Sequence, residues 1–152
     1  LPLIVIGEGP EARSLRAIAK DNITFLGYVS DAERQDFMSR AQGVIVTGLE
    51  DYGLVPIEAN ACGTPVISYG AGGVLETQVD GVTGVFFREQ TPESLQAALM
   101  RAREIDWNPE RIRQYALDHF SEESFFRKVE RILNVVSEGQ PLKIEHLNKI
   151  CR

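Results

Sequence analysis

Short apolar runs alternate along the chain with stretches whose apolar residues recur at helical spacing. Leu3–Ile6 is apolar throughout and stops at Gly7-Glu8-Gly9-Pro10, and Ile23–Leu26 stops at Gly27. Gly43–Thr47, Pro65–Ser68 and Gly84–Phe87 are runs of the same kind. Runs this short, bounded by turn residues, predict five buried strands. Helical segments fall between them. In Glu11–Ala19 the spaced residues are Leu15, Ile18 and Ala19. Ser30 or Asp31 can cap a helix through Arg40, with Phe37, Met38 and Ala41 toward the sheet. Leu54–Ala61 tolerates Pro56 because it lies in the first turn. Gly70-Ala71-Gly72-Gly73 makes a turn before a short helix through Val79, and Asp80-Gly81 makes another turn. Thr91-Pro92-Glu93 opens a helix with proline at its first position.

Strands joined through helices imply right-handed crossovers and a parallel sheet covered on both faces. The predicted fold is therefore α/β: a doubly wound, Rossmann-like parallel sheet. After Arg103 only helices follow, Pro109–His119 and Ser121–Val136, the last with an apolar stripe of Phe125, Val129, Ile132, Leu133 and Val136. One domain over residues 1–136 and a mobile tail over 137–152 are expected.

The net charge of −6 argues against non-specific nucleic-acid binding, which calls for a basic surface. It leaves room for a single nucleotide, whose phosphates backbone N–H groups at a helix start can hold. Cys62 and Cys151 are too few for a disulfide framework and lack metal-ligand spacing. Cys62, among small residues, reads as a small buried thiol and fits a reducing cytoplasm. No apolar run reaches the roughly 18–20 residues that span a bilayer. Leu1–Ile6 has neither a basic leader nor a cleavage site and reads as a strand that begins abruptly. His119 and His146 lack a nucleophile or acid arranged beside them and read as surface residues; Trp107 reads as packing a helix start. Glu122 and Glu123 suit the first turn of a helix and its dipole.

The densest chemistry is EDYGLVPIEANACGTPV, from Glu50 to Val66. Val44-Ile45-Val46 precedes it and a helical segment lies within it. Glu50 is thus placed past the carboxyl end of a buried strand and Glu58 on the next helix. Ligands of open α/β sheets bind at that edge. Gly53 and Leu54 mark the helix start, where backbone N–H groups are free and where a side chain at position 53 would obstruct close approach. Gly7-Glu8-Gly9 is a partial phosphate-loop pattern, and Gly27-Tyr28-Val29 follows the second strand at the same edge. Two acids at this spacing are usually a solvated pair, and these glycine segments can be plain turns.

These motifs closely resemble the Glu-x7-Glu signature of retaining GT-B glycosyltransferases, the large family that includes sucrose and mannosyl transferases. The resemblance covers residues 1 to about 136, the later part of one of that family's two domains. It implies that Glu50 lies beside the donor hexose as the catalytic-site acid and that Glu58 binds the ribose hydroxyls, since a carboxylate accepts from two neighbouring hydroxyls. It implies that Gly53 and Leu54 meet the sugar or diphosphate, that Tyr28 and Val29 seat the base, and that Gly7 shapes the cleft. Gly72 and Gly73, with Glu76, match a Gly-Gly-x-x-Glu element, in which the glycines let the backbone approach donor or acceptor and Glu76 forms structural hydrogen bonds. The implied reaction proceeds on one face of the sugar, the leaving phosphate taking the acceptor proton, with no metal and no cofactor.

The substrate implied is a nucleotide-diphosphate sugar, with GDP-mannose as the first expectation because EDYGLVPIEA and SYGAGGVLET most resemble mannosyltransferases of surface-polysaccharide assembly. The acceptor would be a glycan or lipid-linked molecule, and nucleic acid is not an expected partner. The family's Gly-Arg and Lys, which grip the diphosphate, have no counterpart between Leu1 and Gly9. The family's N-terminal domain is absent from these residues too, so it is expected in cis or in trans, and the sheet is expected to show an exposed edge or gap. A cytoplasmic location is expected, with the membrane surface left open. The alternative reading is a non-catalytic nucleotide-sugar-binding module or subunit completed by a partner chain. A phosphorylase or epimerase of similar fold is disfavoured by the Glu-x7-Glu spacing and by the lack of a cofactor lysine.

Overall fold

The computed structural model describes residues 1–137. Five strands and seven helices follow in the order β1 (Leu3–Ile6), α1 (Ala12–Ile18), β2 (Ile23–Gly27), α2 (Asp31–Arg40), β3 (Val44–Val46), α3 (Leu54–Ala61), β4 (Val66–Tyr69), α4 (Val74–Thr77), β5 (Gly84–Phe87), α5 (Pro92–Glu104), α6 (Pro109–Phe120) and α7 (Glu122–Ser137). Each predicted element is present within two residues of its expected ends, and such ends fray. The mobile tail expected from residue 137 falls on 138–152, outside the described residues, as do Cys151 and His146.

The strands form two parallel ladders. β1 pairs with β2 from Leu3↔Ile23 to Ile6↔Gly27, with a register shift between Val5 and Ile6. β4 lies between β3 and β5, with Val66 opposite both Val44 and Gly84. β2 and β3 are consecutive in the chain but do not pair, and among the described residues only β4 pairs on both sides. α2 carries the chain from one ladder to the other, as happens at the midpoint of a doubly wound sheet where strand order reverses.

Side chains alternate across the β3–β5 ladder, and helices cover both faces. On one, Ile67, Val85 and Phe87 pack with Ala98 and Ala102 of α5, joined by Ile45, Tyr69, Leu95 and Trp107. On the other, Val46 and Val66 pack with Met38 of α2 and Ala59 of α3. Trp107, just before the start of α6, packs on α5, its indole N–H donating to the Ala102 carbonyl at 2.8 Å. Asn60 of α3 donates to the carbonyls of Thr64 and Thr83, both at 3.0 Å, and so ties the helix to the strand ends. A two-toothed ion pair from Arg101 to Asp80, 2.9 Å at each tooth, fixes the turn before β5. Its hydrogen bonds hold the Asp80 carboxyl below the usual aspartate range.

Several expected burials differ. Of Phe37, Met38 and Ala41, Met38 is buried, Phe37 is half-buried beneath the Arg40 guanidinium, and Ala41 is the exposed C-cap of α2. α1 buries no residue, so Leu15 and Ile18 remain exposed. In the α7 stripe Phe125 and Leu133 are exposed, 61% and 60%, while Val129 and Ile132 are half-buried; α7 packs chiefly on α6.

Gly84 crosses the middle strand so closely that a Cβ there would collide with the Val66 carbonyl, whereas one at Gly9 would meet open space. Gly84→Ala is expected to lower the unfolding free energy by about 3 kcal/mol or more and Gly9→Ala to change it by under about 0.5 kcal/mol, read by urea denaturation.

Candidate functional site

The predicted residues lie beyond the carboxyl ends of the strands, on the turns that follow β1, β2, β3 and β4 and, for Leu54 and Glu58, on α3. Gly7 leaves β1 with φ +108° and donates its N–H to the Gly27 carbonyl at 2.8 Å, joining the first two turns. Beyond Gly27, Tyr28 is 87% exposed and Val29 half-buried. The next residue caps α2. Ser30 and Glu33 exchange hydrogen bonds, with Glu33 N–H donating to Ser30 Oγ at 3.3 Å and Ser30 N–H to Glu33 Oε2 at 2.8 Å. Hydrogen bonds from the Ser30 side chain first and its backbone second hold the Glu33 carboxyl below its usual range.

After β3 the chain enters the loop that carries Glu50. Gln90 donates to the Thr47 carbonyl at 2.9 Å at its start. Glu50 then forms an isolated parallel bridge with Gly72, and Gly73 N–H donates to the Glu50 carbonyl at 2.7 Å. A Cβ on Gly72 would overlap the Glu50 carbonyl, and one on Gly73 would overlap the Asp51 carbonyl and Tyr52 Cα. The close approach these glycines permit is thus between two protein loops. The half-buried Glu50 is held by a backbone strap that only residues without side chains can make.

Gly53 is the N-cap of α3 with φ +87° and ψ +62°. A Cβ there would meet Pro56 and Val74 only at ordinary distances, 3.4 and 3.6 Å, so the left-handed backbone, and not crowding, asks for glycine. Leu54 and Val55 occupy the first turn, where N–H groups have no acceptor within the helix, and Pro56 has no N–H to satisfy. Glu58, one turn on, is half-buried, and its Oε2 accepts from Arg34 Nη1 at 2.6 Å. The arrangement offers two carboxylate acceptors and free backbone donors along one strand edge, a set suited to a ligand with hydroxyls and negative charge.

Sequence reasoning missed Arg34. The visible signal was a cation just inside a capped helix that follows the Tyr28–Val29 turn, but its partner lies 24 positions away on another helix. Glu76, expected to form structural hydrogen bonds, is exposed and has no side-chain partner among the described residues. Cys62 is a half-buried free thiol, less enclosed than expected; burial pushes its pKa up, against the pull of Arg113. His119 is half-buried against the Tyr115 ring, centroids 4.3 Å apart, with Nδ1 2.9 Å from the Tyr115 carbonyl, and so is not a free surface group. Among the described residues no group of three or more His, Cys, Asp or Glu could hold a metal ion. Two open hollows of about 540 and 370 Å³ run along α6 and contain none of the predicted residues.

Comparison with known proteins agrees with this fold. Sucrose-phosphate synthase from Thermosynechococcus elongatus superposes over 91% of this chain and 39% of its own, with a TM-score of 0.74 and 24% identity. An Anabaena protein, Alr3699/HepE, solved in complex with UDP-glucose, superposes over 88% of this chain and 40% of its own, with a TM-score of 0.67 and 20% identity. The domain is Rossmann-like and of GT-B type. Residues 1–119 match the family described as glycosyl transferases group 1, and the chain belongs to that family. Its curated relatives include a D-inositol 3-phosphate glycosyltransferase of Nocardiopsis dassonvillei, 33% identical over 65% of this chain and 23% of the relative. A phosphatidyl-myo-inositol mannosyltransferase of Propionibacterium freudenreichii is 35% identical over 67% of this chain and 26% of the relative. The chain therefore spans about a quarter of the length of these relatives.

Gly53→Ala is expected to cost about 1–2 kcal/mol, the strain of a left-handed residue with a side chain, and Gly53→Asn less. Gly73→Ala, which collides with backbone, should cost more than either, and thermal melting of the three variants gives the ranking.

Proposed function

We propose that this chain is the donor-binding part of a retaining glycosyltransferase that moves a hexose from a nucleotide-diphosphate sugar to a glycan or lipid-linked acceptor. The observation that carries the reading is the geometry of the Glu-x7-Glu segment. Glu50 is strapped to the Gly72-Gly73 turn at the strand edge, Gly53 opens α3 with a left-handed cap, and Glu58 lies on that helix.

In this reading Glu50 hydrogen-bonds the donor hexose and Glu58 accepts from the ribose hydroxyls. The N–H groups of Leu54 and Val55 face the sugar–diphosphate junction, where negative charge grows as the bond to the anomeric carbon breaks. Preorganised donors at that point lower the barrier more than they tighten the ground state. Tyr28 and Val29 border the base, and Gly7 shapes the floor. Charge on the departing diphosphate is met by arginine and lysine from polypeptide that adjoins this domain, without a metal ion or other cofactor. The departing phosphate takes the acceptor proton, so Glu50 orients and stabilises without acting as a nucleophile.

GDP-mannose is the first donor to test, supported by the mannosyltransferase among the relatives. The donor domain and its N-terminal partner domain would work in the cytoplasm, against the membrane where the acceptor is lipid-linked; no helix of the described residues is long and apolar enough to cross a membrane. A second reading, a nucleotide-sugar-binding subunit that needs a partner chain, is favoured by β1, β2, β3 and β5 each pairing on one side only among the described residues. Transfer activity that returns only on adding a separate N-terminal domain would select it.

Calorimetry with GDP, UDP and ADP, and with their mannose or glucose esters, tests the donor site. One nucleotide series is expected to bind, and Glu58→Ala to weaken it about tenfold or more through the lost charged hydrogen bonds. Unchanged affinity in Glu58→Ala would show that the ribose assignment is wrong.

A further inference from the structure

We infer that Arg34 is a positioning residue for nucleotide binding: it orients the Glu58 carboxylate toward the ribose and couples that end of the site to the base end. The inference rests on the donor-site reading above and assigns a role to a residue outside the Glu-x7-Glu segment.

The local sequence puts Arg34 where it is. The Ser30–Glu33 capping box starts α2 immediately after the Tyr28–Val29 turn, which fixes the angular position of the next residue. Arg34 then faces α3. Its two terminal nitrogens divide between two carboxylates, Nη2 reaching Asp31 Oδ1 at 3.0 Å and Nη1 reaching Glu58 Oε2 at 2.6 Å. Arg34 is 31% exposed and Glu58 41%, so the pair borders solvent and is open to a ligand. Among the described residues it is the one ion pair that either motif acid makes.

Two consequences follow for a ligand. A glutamate side chain without a partner samples several rotamers and must be ordered on binding, at a cost in entropy. With Oε2 engaged, Glu58 is held before the ligand arrives, and Oε1 together with the remaining lone pair of Oε2 stays available to two adjacent hydroxyls. The second consequence is electrostatic. Asp31 and Glu58 are two acids that meet at the Arg34 side chain, and the ligand is itself an anion. The Arg34 guanidinium offsets the Glu58 charge, so the carboxylate can serve the ribose without repelling the diphosphate. A planar fork spanning two carboxylates is a task that lysine performs with less geometric control.

A purely structural clamp between α2 and α3 would change the melting temperature but leave the choice between ribose and deoxyribose alone. The test therefore measures GDP, UDP and ADP against their 2′-deoxy forms by calorimetry, on the whole chain, with melting temperatures in parallel. The wild type is expected to favour the ribonucleotide of its preferred base by about tenfold, and Glu58→Ala to abolish that preference. Arg34→Met is expected to reduce the preference to about twofold or less, Arg34→Lys to keep a larger part of it, and the Arg34→Met/Glu58→Ala double variant to match Glu58→Ala alone. Should Arg34→Met fail to fold, Arg34→Gln, which keeps a donor, is read in its place. Full preference in Arg34→Met or Arg34→Gln overturns the role of Arg34 while leaving the donor site standing. A wild type without preference, or a preference that survives Glu58→Ala, overturns the ribose assignment and this inference with it.

Discussion

The contact of α2 with α3 and the end of β3 is the constraint on which the placement of everything else depends. β2 and β3 exchange no hydrogen bonds, so no strand pairing locates the first ladder relative to the second. α2 does so instead. Met38 is buried with Val46, Ala59 and Val66, and its carbonyl accepts from Thr64 Oγ1 at 2.6 Å. Burying a methionine is worth about 2 kcal/mol, the hydrogen bond about 1 kcal/mol, and the half-exposed Arg34–Glu58 pair less than about 1 kcal/mol. Apolar burial therefore holds the seam, and the ion pair adds direction more than strength. Because α2 starts at the Tyr28–Val29 turn and α3 carries Glu58, the α2–α3 seam also sets the distance between the two ends of the proposed nucleotide site.

The other half of the site is shaped by missing side chains. Glu50 owes its place to a loop crossing in which Gly72 and Gly73 lie against the backbone of Glu50, Asp51 and Tyr52. Any Cβ there would push the acid-bearing loop off the strand edge. The same device recurs in the scaffold, where Gly63 (φ +81°) lets the start of α6 approach, with its absent Cβ 3.0 Å from the Pro109 carbonyl. Reading Gly72-Gly73 as a surface for the ligand alone overlooked this. The glycines first bring two protein loops together, and whatever ligand contact they make is built on that crossing.

How much was legible in the sequence follows from what periodicity encodes. Apolar runs mark strands and helical spacing marks helices, so Leu3–Ile6 and Gly84–Phe87 and the helices between them could be read directly. Caps were equally local: Ser30, Thr91 and Asn108 each accept from a backbone N–H three residues on. Partners were not local. Nothing in the run Ile23–Gly27 says that it pairs with β1 and not with β3. Leu15 and Ile18 of α1 and Phe125 and Leu133 of α7 have helical spacing but are left exposed, since spacing defines a face and not what lies against it. For the site, Glu50, Gly53 and Glu58 stood out because one loop and one helix carry them all. Arg34 did not, because the ion pair to Glu58 exists only once α2 and α3 are packed.

Glu58 has two claims on it. Its Oε2 belongs to the seam through Arg34, and its Oε1 has no partner among the described residues on a side chain 41% exposed. A residue used only for stability would do better buried and paired on both oxygens; one used only for binding would stand free of the scaffold. The half-exposed, half-paired state sacrifices some of each, as functional residues commonly do. In the proposed reading that compromise has a consequence for linkage. A nucleotide that fills the free side of the Glu58 carboxylate also locks the rotamer on which the Arg34 contact depends, so ligand binding and α2–α3 packing stabilise each other. Binding to the folded form alone then raises the stability of the seam with ligand concentration. The α2 crossover would respond to the donor even though no residue of its hydrophobic contact touches it.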